Sequence, residues 1–547
     1  MINSTKVINC NFKNIHLFTN YLKYDLDCLN CSLVKERIEK TGILKNIIFL
    51  YIFLLNNLTF LQKILRNNSL NKFIYGLIIL LYESKITESD LTSINNKRQN
   101  DQREFKPSEI FDVIIVGSGP GGSLAANELT NKYPKVLLIE SGDNFNQEAV
   151  KHHSYLQTKF QFKNEGMTFC LGNIPMIYAE GSTLGGGSEV NSGLYFKLVD
   201  PYKTKLLEAC NLDIEEWSIA EKEIEYSLSV QNDPNFDINS SNSVLHIGSL
   251  KNDLYSNEIP RWKKYKPLEE HQSMQVTYIK DALEKGLKII TGCTVTKIDN
   301  SKKEFISIYA VNSNNEIIEY KSKKVVLSGG TVGTPKILKK SRLIKGKVNF
   351  NFHPMFRMVA ESKKEKNTGD LFPPIQSWTK DKVHKFGYSV STYPYIKATL
   401  ASLGHINVKN DYKNLACFFS TTTLENSKGR LIFAKNNTIP FIYIKKKDRE
   451  KIKEGFKLLH KILDKGGATK IWPKSPNKLS PMTTVHLFSS LPISKNDQIG
   501  ENGELKSDSR IKISDGSILP VAPWGNPQAV IMALNLILMR KWMNKFE

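Results

Sequence analysis

Residues 111–140 read FDVIIVGSGPGGSLAANELTNKYPKVLLIE. Asp112–Val116 ends in an unbroken apolar run, the pattern of a parallel strand covered on both faces. Gly117, Gly119 and Gly122 follow at the spacing G-x-G-x-x-G, and Ser123–Leu129 has helical periodicity. Val136–Ile139 is a second buried strand ending on Glu140. A dinucleotide site needs this order. The first glycine permits a tight turn, the second lets backbone approach a pyrophosphate, and the third lets helix and strand pack closely. The helix N-terminus offers free N–H groups and a positive dipole end to the phosphates, with Pro120 at its start. Glu140 follows Gly117 by 23 residues, close to the roughly 20 expected for the acid that binds a ribose hydroxyl. Ser141 adjoins it and joins the expected cofactor site.

Outward from that unit, the 547 residues suffice for two to four domains. The net charge of +22 could attract nucleic acid, anionic lipid or an acidic substrate. The excess is mostly Lys scattered among Asn and Ile, with no compact Arg-rich cluster, so a nucleic-acid partner is not expected. Seven dispersed cysteines argue against a disulfide framework and favour a reducing cytoplasm. Cys28 and Cys31 form a lone C-x-x-C with no second pair or His cluster to complete a metal site.

Residues 1–85 read as a helical, apolar extension without the layout of a signal peptide. The apolar runs Ile47–Leu55 and Phe73–Tyr82 are each about half the length of a spanning helix. They favour a hairpin packed on the body over an interfacial helix, and either over a span. Peripheral membrane contact through residues 43–83 is therefore one expectation for an otherwise cytoplasmic chain. Residues 86–109 are polar and read as a linker.

The nucleotide-binding body then resumes three times. Val276–Lys285 reads as a helix, Lys288–Thr291 and Thr294–Ile298 as strands, and 305–332 as a meander closing on Lys324–Ser328 and Gly329-Gly330. Near the C-terminus come a strand around Ile511, a turn at Asp515-Gly516 and a long apolar helix, Ala529–Trp542. Between them Gly387–Ile396, Leu415–Thr423 and Arg430–Phe433 alternate like strands, and Asp448–Lys465 reads as a helix. The expected fold is α/β: a Rossmann-like domain over 110–340, with insertions at 145–275, a sheet-based substrate domain over 341–490, and a return to the first domain over 491–547.

Further motifs follow in a specific order. They are Gly181-Ser-Thr-Leu-Gly-Gly-Gly-Ser-Glu-Val-Asn191, Trp217-Ser218, the Gly330–Ser341 run GTVGTPKILKKS, His353-Pro354, Gly466-Gly467-Ala468, His486 and Asn526-Pro527. Over residues 110–543 the chain resembles the glucose–methanol–choline (GMC) flavoprotein oxidoreductases. The resemblance implies an FAD-binding domain with an inserted α+β substrate domain carrying a six-stranded antiparallel sheet. It places Gly185, Gly186, Ser188 and Asn191 beside the cofactor, Val295 at the adenine, Gly329 in close packing, and Asp515 and Gly516 along the ribitol and pyrophosphate. Residues 181–195 contain no histidine, so non-covalent FAD is expected.

The resemblance also implies the chemistry: oxidation of a primary or secondary alcohol, whether long-chain, sterol-like or sugar. His486 would be the base, its imidazole titrating near neutrality. Asn526 would orient the substrate oxygen, with Pro527 beside it. The Asn-Pro pair also fits a plain turn before the last helix. The acceptor of the electrons, whether oxygen, a quinone or a protein, is left open. The chain departs from the family pattern at Ser182, Arg342 and Leu487–Pro492. A flavin-containing lyase or decarboxylase, and a non-catalytic flavin-binding protein, are the alternative readings.

Overall fold

Strand β1, Ile110–Val116, lies inside an eight-stranded sheet between β2, Val136–Ile139, and the strand Ile317–Leu327. Both neighbours run parallel to it, and Val116 stands level with Ile139 and Leu327. The computed structural model describes residues 93–99 and 109–546, apart from 146–148, 167, 175, 267–268, 364–366, 368–372, 406–411, 435–436 and 478. The N-terminal apolar runs and the Cys28/Cys31 pair lie outside the described residues.

Helix α1, Pro120–Thr130, carries the crossover from β1 to β2. Proline is well placed in its first turn, where its missing N–H costs nothing. Leu124, Ala125, Ala126 and Leu129 are buried against the sheet. A Cβ at Gly122 would stand 2.0 Å from the Gly117 carbonyl oxygen, so the third glycine is required by packing. Lys288–Ile290 extends the sheet beyond β2, and Asp508–Ile513 pairs parallel with Ile317–Leu327. The last helix, Gln528–Asn544, is apolar on nearly all sides because it is buried on nearly all sides. Arg540 fastens it to α1 through paired contacts of 2.8 and 3.0 Å to Glu128.

The second sheet differs from the six antiparallel strands expected. It has thirteen strands and is mixed. Tyr255–Glu258, Ile375–Trp378, His384–Tyr388, Leu415–Thr422 and Met355–Glu361 form an antiparallel run. Short strands enlarge it: Met176–Tyr178 joins parallel to Met482–Thr484, and Thr168–Gly172 joins parallel to Thr438–Tyr443. Helix Lys446–Gly466 covers part of it with a stripe containing Ile452, Phe456, Leu459 and Leu463.

Three local expectations change. The alternating segment Gly387–Ile396 is not one strand: His384–Tyr388 ends it, and Tyr393–Ser402 is a helix with proline in its first turn. The turn expected at Asp515-Gly516 is the start of a 3₁₀ helix: Asp515 has φ −155° and caps Gly516–Ile518 with its side chain, so it is not the two-residue hairpin turn, which needs positive φ at both central positions. The described part of the expected linker packs on the body, with Ile94 against Phe145 and Val150 and Arg98 paired to Asp143 at 3.2 Å. No described helix is long and apolar enough to cross a membrane.

Candidate active site

A cavity of about 1200 Å³ runs between the two sheets. It exceeds the roughly 300–1,000 Å³ of an ordinary small-molecule pocket. One wall is the β1–α1 turn, with Gly117, Gly119 and Pro120. Gly119 is the N-cap of α1, yet no side chain caps the helix and no acid stands in its first turn. Backbone N–H groups at that end are left for an anion. A Cβ at Gly119 would meet nothing within 4 Å, whereas one at Gly121 would lie 1.9 Å from the Ser514 carbonyl oxygen. The turn is thus pressed onto the protein on one side and open to the cavity on the other.

The loop 181–191 closes over this turn. Gly185 has φ +91°, and a Cβ at Gly186 would lie 2.7 Å from Gly119 Cα. The Ser118 hydroxyl accepts from the Gly185 N–H at 3.0 Å and donates to Glu140 at 2.7 Å. Glu140 also accepts from the Ser118 N–H, the Gly142 N–H and the Ser141 hydroxyl. These four donors match a carboxylate's roughly four acceptor positions. Glu140 therefore ties the ends of β1 and β2 to the loop, a role that the expected ribose contact did not anticipate.

Glu140, Ser141, Gly186, Asn191, Val295, Gly329, Asp515, Gly516, Asn526, Pro527 and His486 all line the cavity, whereas Gly122, Gly185 and Ser188 do not. Ser188 instead donates to the Gly185 carbonyl and accepts from the Met274 N–H. Asn191 donates to Gln528 at 2.9 Å, linking the loop to the start of the last helix. A β-bulge sits between Val295 and Lys297. Asp515 acts through its side chain, accepting from the Gly330 N–H, the Thr334 hydroxyl and the Ser517 N–H. Burial raises its carboxyl above the usual range.

Opposite the glycine turn stands a pair of imidazoles. His486 lies between the strands Met482–Thr484 and Leu487–Phe488, and His353 directly follows Val348–Phe352. Because Phe352 pairs with Leu487, the two histidines are brought together. The His353 N–H donates to the His486 carbonyl at 3.2 Å, and the ring Nδ1 atoms are 3.3 Å apart. Burial, then the repulsion that charging it would meet from His353 and Lys385, holds the His486 imidazole well below its ordinary value. His353 is pushed down to about 3, chiefly by burial, against a raising contact with the Pro523 carbonyl.

Asn526 precedes Pro527, the N-cap of the last helix, so the turn reading of this pair also describes its place. Its Oδ1 accepts from Lys385 Nζ at 3.1 Å. Lys385 was not expected here. It lies on His384–Tyr388, only 4% exposed, with Nζ 4.2 Å from the Phe196 ring centroid. Burial pushes it down to about 7. Its sequence signal was weak: lysine in an alternating segment reads as a solvated position.

A sequence profile described as GMC oxidoreductase matches residues 158–355. The chain is 23% identical over 477 residues to an uncharacterised GMC-type oxidoreductase, y4nJ, of Sinorhizobium fredii, covering 77% of this chain and 92% of that one. By this profile and this relative the chain is similar to the GMC oxidoreductases. It is 24% identical over 448 residues to the long-chain-alcohol oxidase FAO4A of Arabidopsis thaliana, covering 72% of this chain and 60% of the plant protein. Among solved structures, pyridoxine 4-oxidase from Mesorbium loti superposes with TM-score 0.63 at 14% identity, over 79% of this chain and 99% of that one. A formate oxidase variant from Aspergillus oryzae gives 0.65 at 12% identity, over 81% and 99%. The mixed α/β fold matches that of these flavoenzymes, and the relatives support an FAD-dependent oxidoreductase. The glycine turn fits the cofactor: an uncapped helix end, open space over Gly119, and glycines where side chains would collide.

Proposed function

We propose that the protein oxidises an alcohol to a carbonyl, with His486 as the base and Asn526 as the residue that orients the substrate oxygen. The observation that carries this reading is the meeting, in one cavity, of the glycine cradle, the His353/His486 pair and Asn526. The names of the plant alcohol oxidases and of pyridoxine 4-oxidase support an alcohol as the substrate class. FAD, when bound, supplies the acceptor for the hydride that leaves the carbinol carbon.

The chain's own residues set up the proton transfer. One tautomer assignment satisfies both contacts of His353. With its proton on the ring nitrogen away from His486, available to the Pro523 carbonyl, His353 accepts at Nδ1 from Nδ1–H of His486. Nε2 of His486 then keeps its lone pair. Because burial holds this imidazole neutral, it is ready to take the hydroxyl proton throughout the physiological pH range. Lys385 fixes the Asn526 amide by donating to its Oδ1, which leaves the Nδ2 hydrogens to donate to the substrate oxygen. A positive charge on Lys385 also stabilises negative charge developing on that oxygen.

We further propose that FAD is held without a covalent bond, since residues 181–195 carry no histidine. Acid precipitation should then release the flavin into the supernatant. The reaction is tested by anaerobic mixing of the flavin-loaded protein with alcohols protonated or deuterated at the carbinol carbon. Bleaching of the flavin that slows on deuteration supports hydride transfer. A flavin that no alcohol bleaches refutes the proposal.

A further inference from the structure

Arg357 is half-buried and lines the cavity wall, with no counter-charge among the described residues. It lies on Met355–Glu361, in the middle of the second sheet. Its Nε donates to the Ser389 hydroxyl at 3.0 Å and its Nη1 to the Thr483 hydroxyl at 2.6 Å. Nη2 makes no hydrogen bond to a described residue, and no described carboxylate forms an ion pair with the group. An arginine cannot shed its proton to relieve burial as a lysine can. A charge enclosed in a cavity wall in this way is ordinarily paired.

The carboxylates along the same cavity are engaged elsewhere. Glu140 and Asp515 are held by N–H and hydroxyl donors on the glycine side. Glu165 lies 3.8 Å from Lys159, and Glu180 lies 3.3 Å from Lys163.

The sheet register shows what shares the wall with Arg357. Arg357 stands level with Phe419, Phe419 with Gly387, and Gly387 with Gln376. Two residues along each strand, Met355, Thr421 and Lys385 form the next row of the same face. Gln376 is 1% exposed and its Oε1 has no hydrogen-bond partner; the Thr421 hydroxyl has none either. Both line the cavity. A buried polar atom left without a partner costs about 1–3 kcal/mol, so such atoms in a cavity wall mark where a ligand's polar groups belong. Thr483 is three residues from His486, so the guanidinium is within reach of a substrate whose hydroxyl meets the base. That span is at most about 11 Å between α-carbons.

We propose that the alcohol taken by this cavity carries an anionic group, a carboxylate or a phosphate, which docks on Arg357, while Gln376 Oε1 accepts a hydrogen bond from another donor of the substrate. This inference rests on the alcohol-oxidising reading and narrows it. A plain fatty alcohol would leave the guanidinium and the two unpartnered oxygens buried against methylene groups.

The test pairs turnover with binding. The flavin-loaded protein is mixed anaerobically with 1-hexanol, 6-hydroxyhexanoate and 6-hydroxyhexyl phosphate, and the bleaching rate is taken against concentration. In parallel, the binding of hexanoate and hexyl phosphate is measured by calorimetry on wild type, Arg357→Gln and Arg357→Lys. The expected result is a preference of about 30-fold or more in kcat/KM for one anionic alcohol over 1-hexanol, falling toward unity in Arg357→Gln. The better of the two anions identifies the group. Binding of the matching unreactive anion should weaken by a similar factor in Arg357→Gln and be partly restored in Arg357→Lys. If the anions bind through Arg357 but no alcohol bleaches the flavin, the docking site stands and the oxidation reading falls. If 1-hexanol is the better substrate, or Arg357→Gln lowers all three rates equally, the anionic substrate is overturned. Loss of flavin from both variants would overturn it too, by assigning Arg357 to the cofactor.

Discussion

Replacing Gly119 by valine separates cofactor binding from folding. Gly119 has φ −63° and ψ −179°, a backbone conformation open to any L-residue. An added Cβ meets no atom within 4 Å, and the helix it begins depends on no cap from this residue. Folding should therefore change by less than about 1 kcal/mol, with a small gain from a less flexible unfolded chain. The new side chain would occupy the space over the helix N-terminus and hold a pyrophosphate off the backbone. Losing two N–H bonds to a charged group, at about 1.5–3 kcal/mol each, costs about 3–6 kcal/mol. Flavin affinity should fall about 10²–10⁴-fold. Gly121→Val is the matched control: its Cβ would start 1.9 Å from the Ser514 carbonyl oxygen, so it should lower stability instead. The assay is titration of apoprotein with FAD beside thermal unfolding of each variant. A Gly119→Val protein that holds flavin as tightly as wild type, or that melts as low as Gly121→Val, would refute the placement of the pyrophosphate.

Other outcomes follow from the same geometry. Lys385 carries its charge below about pH 7 and loses it above. If that charge stabilises the developing alkoxide, flavin reduction by a neutral alcohol should slow as pH rises through 7, and Lys385→Met should remove this limb of the profile. His353 is one of the groups through which stability responds to acid. Its imidazole is neutral in the native state down to about pH 3 but protonates near 6.5 when unfolded. The unfolded state therefore binds the extra proton between those values, and native stability falls on acidification through that window, by about 1.4 kcal/mol per unit. His353→Asn should lessen the slope in urea titrations at several pH values, with the other buried histidines, His486 among them, keeping their share. Glu140→Gln puts an NH₂ where two donors now point, and should lower the melting temperature and loosen flavin together.

The sequence made the first βαβ unit readable because its signals are local. Val136–Ile139 appears as expected, and Asp112–Val116 lies within β1. Helix Lys446–Gly466 was similarly legible from its apolar stripe. The second sheet was not. Met176–Tyr178 and Met482–Thr484 have three residues each and pair across more than 300 positions, so neither carries a periodic pattern of its own. Tyr393–Ile396, the first turn of helix Tyr393–Ser402, falls in a segment that alternates like a strand, although Tyr393-Pro394 is a fair helix start. His486 alone, in an apolar segment, would pass for a core histidine; the ordered motifs made it a candidate. Lys385 stayed hidden for a tertiary reason. In His384–Tyr388 every residue is buried, with His384 toward Gly455 of the covering helix and Lys385 lining the cavity. Arg357 and Gln376 gave no signal, since an unpaired guanidinium is visible only once its neighbours are known.

The central claim is that an imidazole from the C-terminal part of the chain removes the alcohol proton while hydride leaves for the flavin. Anaerobic stopped-flow reduction of the bound flavin by alcohol, in wild type and in His486→Ala with matched flavin content, tests it most directly. Bleaching is expected in wild type, with a rate about 10²–10⁴-fold lower in the variant. Equal rates in the two proteins, or a flavin that stays oxidised in wild type with every alcohol tried, would contradict it.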